Sequence, residues 1–484
     1  MASSSVKLNP NRIKSGTLVA FMNDIERYQL PVNRFILLHD GEHILQWHRS
    51  PYRKDVPQLL YSLSQSITSI AVGIAWDQGL LKLDDPIMSF FPDKLPASIS
   101  PNLARMTIRH LLTMTAGHED NICSAVAKEQ DWAAAFFSQE VVHEPGTRYY
   151  NCIYSTYMLS AIIERVTGMS LIDFLVPALF DPLSIQRPVW ETCPLGVTAG
   201  GMGLSLSTES MAKIGLMLIN EGVYEGKRIL SEQYIRMATS EQSNNRSSAA
   251  LDRNDMIQGY GFQFHLCKGG CYLGEGAFGQ LCFVAPKEKI VISAASSLTT
   301  VQEFQLLLEL IYEHFIDRST EQSLPYKRGG DAELQRLLEQ WNYESEWRRP
   351  IPDGRPCLDG AVYPLSANPH GLRQICFFEQ CGLLEMKMEY GDKRDNTLPF
   401  SYVEPIRAFD MFYKDLEMHR QEVVTYAAWL DKNSLLLTLY YIETPYVVRY
   451  KLTFSGNELQ LQFELNVSHH ILNYRSVGVR VKES

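Results

Sequence analysis

Two short apolar runs, Arg34–His39 and His43–His48, meet at the dipeptide Asp40-Gly41. Asp-Gly between apolar runs signals a two-residue hairpin, because both central residues must tolerate positive φ. Three more strand-like runs, 260–266, 280–285 and 289–296, come only after a long and largely helical stretch. A lone hairpin has too little apolar face to stand by itself in water. The early pair is therefore expected to join the late trio in one antiparallel sheet, assembled from both ends of the region around a helical insert. Leu18, Phe21, Met22, Ile25 and Leu30 mark a first helix over 14–30, and a last helix covers about 301–316. Both should cover one face of the sheet, which makes the fold class α+β.

Within the insert, a second helix is expected from Ser62 to Gln78, stopped by Gly79, with a turn at Asp84-Asp85-Pro86. Further helical segments cover 107–115, 129–138, 153–180 and 207–221. Gly196, Gly200, Gly201 and Gly203 crowd one short stretch, as a loop requires where backbones approach closely. At 325–355 the composition turns to linker material, RGGDAE and RRPIPDGRP. Beyond it come short β-like runs at 383–389, 399–403, 422–430, 434–442, 445–453 and 458–466, which imply a small all-β antiparallel barrel or sandwich. The expected domains are 1–328 and 329–484.

Acidic residues outnumber basic ones, 55 against 45, for a net charge of −10. That balance excludes a broad nucleic-acid-binding face. Nine cysteines without regular spacing argue against a disulfide scaffold and fit a reducing compartment. Cys267 and Cys271 lack a matching second pair or histidine cluster, so no metal site is expected. The start, MASSSVKLNPNRIKSG, has no signal-like apolar core, and the apolar stretch from Ile67 to Trp76 is too short to span a bilayer. The expectation is a cytoplasmic protein without a membrane span and without a cofactor; the oligomeric state stays open.

Tyr61-Ser62-Leu63-Ser64-Gln65 opens the second helix. Unpaired N–H groups and the macrodipole at a helix start favour an attacking alkoxide and an oxyanion. A side chain three residues later lies one turn on, over the same face. Most serine-rich helix starts are simple caps, so this observation alone does not assign catalysis.

Longer stretches carry a more specific signal. Tyr61 to Gln78 followed by GLLKLDDP, then Thr107–His118 (TIRHLLTMTAGH), then Pro145–Asn151 (PGTRYYN) with Tyr157–Gly168 (YMLSAIIERVTG) run in order. Together they resemble the serine β-lactamase and penicillin-binding-protein superfamily. The closest likeness is to the class C-like branch that includes family VIII esterases and D-aminopeptidases, across roughly 15–318. That resemblance implies a β-lactamase/transpeptidase-like domain, and it implies a lipocalin-like barrel for the C-terminal region.

The resemblance places the nucleophile of the Ser-x-x-Lys motif at Ser62. The lysine position is Gln65, and an amide holds geometry but carries no charge and no usable proton. The frames from Ser64 and Ser66 meet Ile67 and Ser69, so neither restores a lysine. For the tyrosine motif two frames stay open: Tyr149-Tyr150-Asn151 and Tyr150-Asn151-Cys152. Either tyrosine would act as base or relay, with Asn151 toward substrate. The third motif corresponds to Leu273–Gln280, where Glu275, Gly276, Phe278 and Gly279 would face substrate. A strand-edge N–H there would complete an oxyanion hole with that of Ser62. The carboxylate of Glu275 disfavours anionic substrates, so neutral esters or amides are expected.

Three functions follow as expectations. The first is a serine hydrolase of carboxylesterase or amidase type, weakened or altered by Gln65, that forms an acyl-enzyme on a small ester or amide. The second is a catalytically silent relative that binds a ligand or partner in the same cleft. The third is an acyltransferase.

Overall fold

The Asp40-Gly41 hairpin forms as its residues require, with φ of 51° and 79° joining strands Val32–His39 and Glu42–His48. The computed structural model describes residues 13–119, 121–246, 256–317, 330–341, 349–469 and 471–481. The chain divides into two compact units, one of Met1–His48 with Pro57–Glu339 and one of Arg49–Val56 with Gln340–Ser484. The boundary expected at 328/329 lies outside the described residues, as do the first twelve residues. A helix, Gly330–Trp341, occupies part of the stretch expected to be linker.

In the first unit the hairpin edges a six-stranded antiparallel sheet, ordered from the hairpin as Glu42–His48, Val32–His39, Ile290–Ser296, Gln280–Ala285, Tyr272–Gly276 and His265–Leu266. The sheet is thus built from both ends of the region, as expected, but with four late strands. Only His265 and Leu266 of the run 260–266 are strand. Gln263 sits at φ 64° and breaks the run. The strand Tyr272–Gly276, too glycine-rich for a simple alternation, takes its place in the sheet.

The first helix, Ser15–Arg27, buries Leu18, Phe21, Met22 and Ile25. Phe21 meets Phe35 of the sheet at 5.3 Å and Phe315, beyond the last helix, at 4.7 Å. The first and last helices therefore share a face. Truncating a fully buried Phe such as Phe21 typically costs about 3–5 kcal/mol. The expected helix 153–180 is interrupted: Ile153–Thr167 ends at Gly168, whose φ of 70° gives a left-handed cap. A new helix, Leu171–Leu175, is started by the Ser170 side chain.

The second unit holds two antiparallel sheets, of four strands over Val362–Ser401 and six over Ile406–Val479. They are hydrogen-bonded to each other at both margins, by Ser366 N to Val477 O and by Thr425 Oγ1 to Pro399 O. The segment Arg49–Val56 belongs to this unit. Tyr52 and Val56 join a buried cluster with Val424, Tyr426 and Tyr440, and Arg53 forms a two-pronged ion pair with Glu422 at 2.5 and 2.9 Å. Among the described residues no helix is long and apolar enough to cross a membrane, and no group of three or more His, Cys, Asp or Glu side chains is placed to hold a metal ion.

Candidate active site

Ser62 lies in a single tight turn, Tyr61–Leu63, which leads into the helix Ser64–Asp77. Tyr61 takes φ 50°, a conformation that bulky residues rarely adopt and that tertiary contacts must hold. Its ring is buried and meets the edge of Phe278 at 5.3 Å. The neighbouring serines are tied inward. Ser64 Oγ donates to the Tyr61 carbonyl at 2.6 Å, and Ser66 Oγ donates to the Gln263 carbonyl at 2.7 Å. Ser62 alone of the three is half-exposed. Gln65, one turn on, is 4% exposed, and its Nε2 is buried without a hydrogen-bond partner.

Strand Tyr272–Gly276 runs against this turn because it carries glycines. A β-carbon on Gly276 would overlap the Leu60 carbonyl, and one on Gly274 would fall 2.5 Å from Leu63 Cδ1 and 2.6 Å from Ser66 Oγ. Phe278 and Gly279 then turn at φ 64° and 86°, and Leu298 N donates to the Phe278 carbonyl at 3.0 Å. Gly276 and Phe278 thereby lie against the Ser62 turn, whereas a β-carbon on Gly279 would meet Leu298 and Ser296 instead.

The glycine loop holds the helices from the other side. A β-carbon on Gly200 would come 2.7 Å from Ser160 Cβ, and one on Gly201 would overlap the Ile153 carbonyl. Thr68 Oγ1 donates to Gly200 O at 2.8 Å, while Thr198 N donates to Glu164 Oε1 at 3.0 Å. Both central helices, Ser64–Asp77 and Ile153–Thr167, are thus pinned to one loop.

The two tyrosines of the second motif go to different places. The Tyr149 ring meets Tyr260 at 5.0 Å; Tyr260 in turn meets His265 at 4.9 Å, and His265 Nε2 stands 3.7 Å from Glu275 Oε1. Tyr150 N donates to the Met114 carbonyl at 2.8 Å, and its hydroxyl points at Cys123 Sγ, 4.0 Å away. Asn151 is exposed.

Residues 20–314 match the family described as Beta-lactamase. The chain belongs to that family. Over 282 residues it is 23% identical to the 6-aminohexanoate-dimer hydrolase of Paenarthrobacter ureafaciens, covering 54% of this chain and 72% of that protein. Its fold is similar to that of a Bacillus anthracis protein assigned as a 6-aminohexanoate-dimer hydrolase, with a TM-score of 0.53 and 18% identity over 63% of this chain and 82% of that one. It is also similar to EstCE1, described as a hydrolase with promiscuous acyltransferase activity. There the TM-score is 0.51 and the identity 15%, over 62% of this chain and 99% of EstCE1.

In this β-lactamase-family chain the Glu275 carboxylate has an imidazole beside it, that of His265 on the adjacent strand. Burial, with the nearby Tyr149 and Glu275, holds the Tyr260 phenol well above the ordinary range, so it stays a neutral hydroxyl. Tyr260 and His265 were not singled out from sequence. The signal available was Gly259-Tyr260-Gly261, since a β-carbon on Gly261 would overlap the Ala238 carbonyl.

His110, His118 and His143 meet local neighbours. His110 caps its own helix with Thr107, its Nδ1 accepting from Thr107 N at 3.1 Å. His118 is buried against Phe136, and burial pulls its pKa down to about 4. His143 pairs with Glu119 at 2.7 Å. His469 is exposed, while Val467 two residues before it is buried; His470 lies outside the described residues.

Proposed function

We propose that the chain is a serine hydrolase acting on a neutral ester or amide through an acyl-enzyme on Ser62. The observation that carries this reading is the approach of the Tyr272–Gly276 strand to the Ser62 turn, which only glycine at 276 and 274 permits. In the step proposed, Ser62 Oγ attacks the acyl carbon and its proton passes to Tyr149 or Tyr150. The N–H of Ser62 and one of the strand edge hold the oxyanion. Tyr149 is favoured for the proton by its place in the cluster with Tyr260, His265 and Glu275. The bond from the acyl carbon to the alcohol oxygen or amine nitrogen then breaks, the leaving group takes up that proton and departs, and water releases the acyl group from Ser62 by the same steps. An acceptor alcohol or amine in its place makes the reaction acyl transfer, as in the activity named for EstCE1. Two similar proteins are named for a dimer of an amino acid, which supports an amide as substrate.

A second reading, a silent relative that binds a ligand in this cleft, is favoured by Gln65. Its buried Nε2 stands unpaired in the segment where a lysine would supply charge. Intact-mass measurement after incubation with activated acyl esters and a fluorophosphonate separates the two. A stoichiometric adduct on the wild type, absent from Ser62→Ala, is the hydrolase result. No adduct on the wild type, but one on Gln65→Lys, is the result of the silent reading.

A further inference from the structure

Two cysteines beside the tyrosine segment carry thiols that the acylation chemistry does not use. Cys123 lies in the short helix Ile122–Val126 and is partly exposed. Cys152 directly follows Asn151, precedes the helix Ile153–Thr167, and is buried. Their Sγ atoms are 3.7 Å apart, and the Tyr150 hydroxyl is 4.0 Å from Cys123 Sγ. A disulfide needs about 2.05 Å between sulfurs, so side-chain rotation and a small backbone adjustment bring the pair to bonding distance. We propose that Cys123 and Cys152 form a reversible disulfide, a modification site through which a peroxide acts on the segment that carries Tyr149, Tyr150 and Asn151.

The two thiols have distinct parts in this step. Cys123 accepts hydrogen bonds from Cys152, Tyr150 and the Ile153 backbone, which pull its pKa down to about 7. The hydrogen bond to the Cys123 sulfur, and then burial, hold Cys152 as the thiol, well above the ordinary value. The reachable Cys123 thiolate attacks one oxygen of hydrogen peroxide. The O–O bond breaks, hydroxide leaves and takes a proton to become water, and Cys123 becomes a sulfenic acid. Cys152 sulfur then attacks the sulfenic sulfur, the S–O bond breaks, and a second water leaves with the thiol proton. Two thiols are oxidised by two electrons and one peroxide is reduced to two waters. A dithiol reverses the bridge by exchange.

Closing the bridge draws on Cys152 and removes the thiol that the Tyr150 hydroxyl faces. Cys152 N donates to Met114 Sδ at 3.4 Å and Tyr150 N to the Met114 carbonyl, so strain at Cys152 reaches the whole segment. The effect on acylation rests on the reading of Ser62 proposed above; the bridge itself does not.

The test treats the full-length folded chain with hydrogen peroxide, blocks free thiols after unfolding, and maps peptides by mass. Expected is a Cys123–Cys152 linked peptide, removed by dithiothreitol, with a dimedone adduct on Cys123 in Cys152→Ser. Oxidation confined to the exposed Cys357 and Cys381, with Cys123 and Cys152 both fully blocked, overturns the proposal without any variant. Fluorophosphonate labelling of Ser62 is expected to slow roughly tenfold or more in the oxidised chain, the scale of a displaced proton-transfer group, and to recover on reduction. A mapped bridge with unchanged labelling overturns the action on the tyrosine segment. Absence of labelling in both states faults the Ser62 reading, while the mapped bridge still supports the site.

Discussion

Gly276 lies so close to the Leu60 carbonyl that no β-carbon fits between them. Leu60 ends two residues before Ser62, and Gly276 ends the strand whose edge borders the cleft. The contact therefore sets the distance between the candidate nucleophile and the strand N–H groups that would stabilise an oxyanion.

Gly276→Ala should push that strand away from the Ser62 turn. Labelling of Ser62 by a fluorophosphonate is expected to fall by roughly 10²-fold, the scale of a lost oxyanion donor. Gly168→Ala is the control for a glycine lost without a steric clash. Unlike Gly276 it has positive φ, at 70°, and a β-carbon there meets no atom within 4 Å. It should destabilise by about 1 kcal/mol and leave labelling unchanged. Equal losses in both variants would mean that the Leu60 contact has no part in the chemistry.

Gln65→Lys replaces a buried, unpaired amide with an amine one turn from Ser62. If proton transfer is what the wild type lacks, labelling rises by roughly 10²-fold or more. Thermal unfolding should move to lower temperature in the same variant, because a buried ammonium is costly to desolvate. An unchanged labelling rate would show that Gln65 is not what limits the site.

Gln263 ties three segments together from one buried position. Its Nε2 donates to the Leu111 and Leu112 carbonyls at 3.1 and 2.9 Å, its Oε1 accepts from Thr156 Oγ1 at 2.7 Å, and its carbonyl accepts from Ser66. Gln263→Leu keeps the volume and removes the three bonds of the side-chain amide, to Leu111, Leu112 and Thr156, while the main-chain bonds to Ser66 and Leu112 stay. A loss of about 3 kcal/mol or more is expected in the denaturant midpoint, since each stranded buried group costs about 1–3 kcal/mol. A loss below about 1 kcal/mol would mean that water replaces the amide.

His118 gives the first unit an acid limb. Its folded pKa of about 4 lies below the unfolded value near 6.5, so the unfolded chain binds more protons between the two. Stability is therefore full above about pH 6.5, falls as pH drops toward 4, and levels off below. The whole change amounts to about 3 kcal/mol. His118→Leu should flatten this limb in urea titrations from pH 4 to 7. An unaltered slope would assign the acid sensitivity to other groups.

Much of this architecture is legible in local chemistry. The Asp40-Gly41 turn needs residues that accept positive φ, and the apolar spacing of Leu18 to Ile25 repeats with the helical turn; both act within a few residues, and both formed as read. The crowding of Gly200, Gly201 and Gly203 also signals close backbone approach before any partner is known. The order of motifs from Tyr61 to Gly168 points to the family on the same terms.

Other features depend on partners outside their own segment. Tyr272–Gly276 becomes a strand because neighbours on both sides supply its hydrogen bonds, which its glycines do not advertise. The run at Gln263 is bent by bonds to Leu111, Leu112 and Thr156. Adjacent tyrosines 149 and 150 part, one to Tyr260 and the other to Cys123, and nothing in their local sequence separates them. Spacing along the chain determines helices, turns and the place of Ser62. What approaches the Ser62 turn is decided by packing between segments more than two hundred residues apart, whereas Glu275 meets His265 from the adjacent strand and Cys152 meets Cys123 across one loop, because hydrogen bonding and burial depend on distance in space.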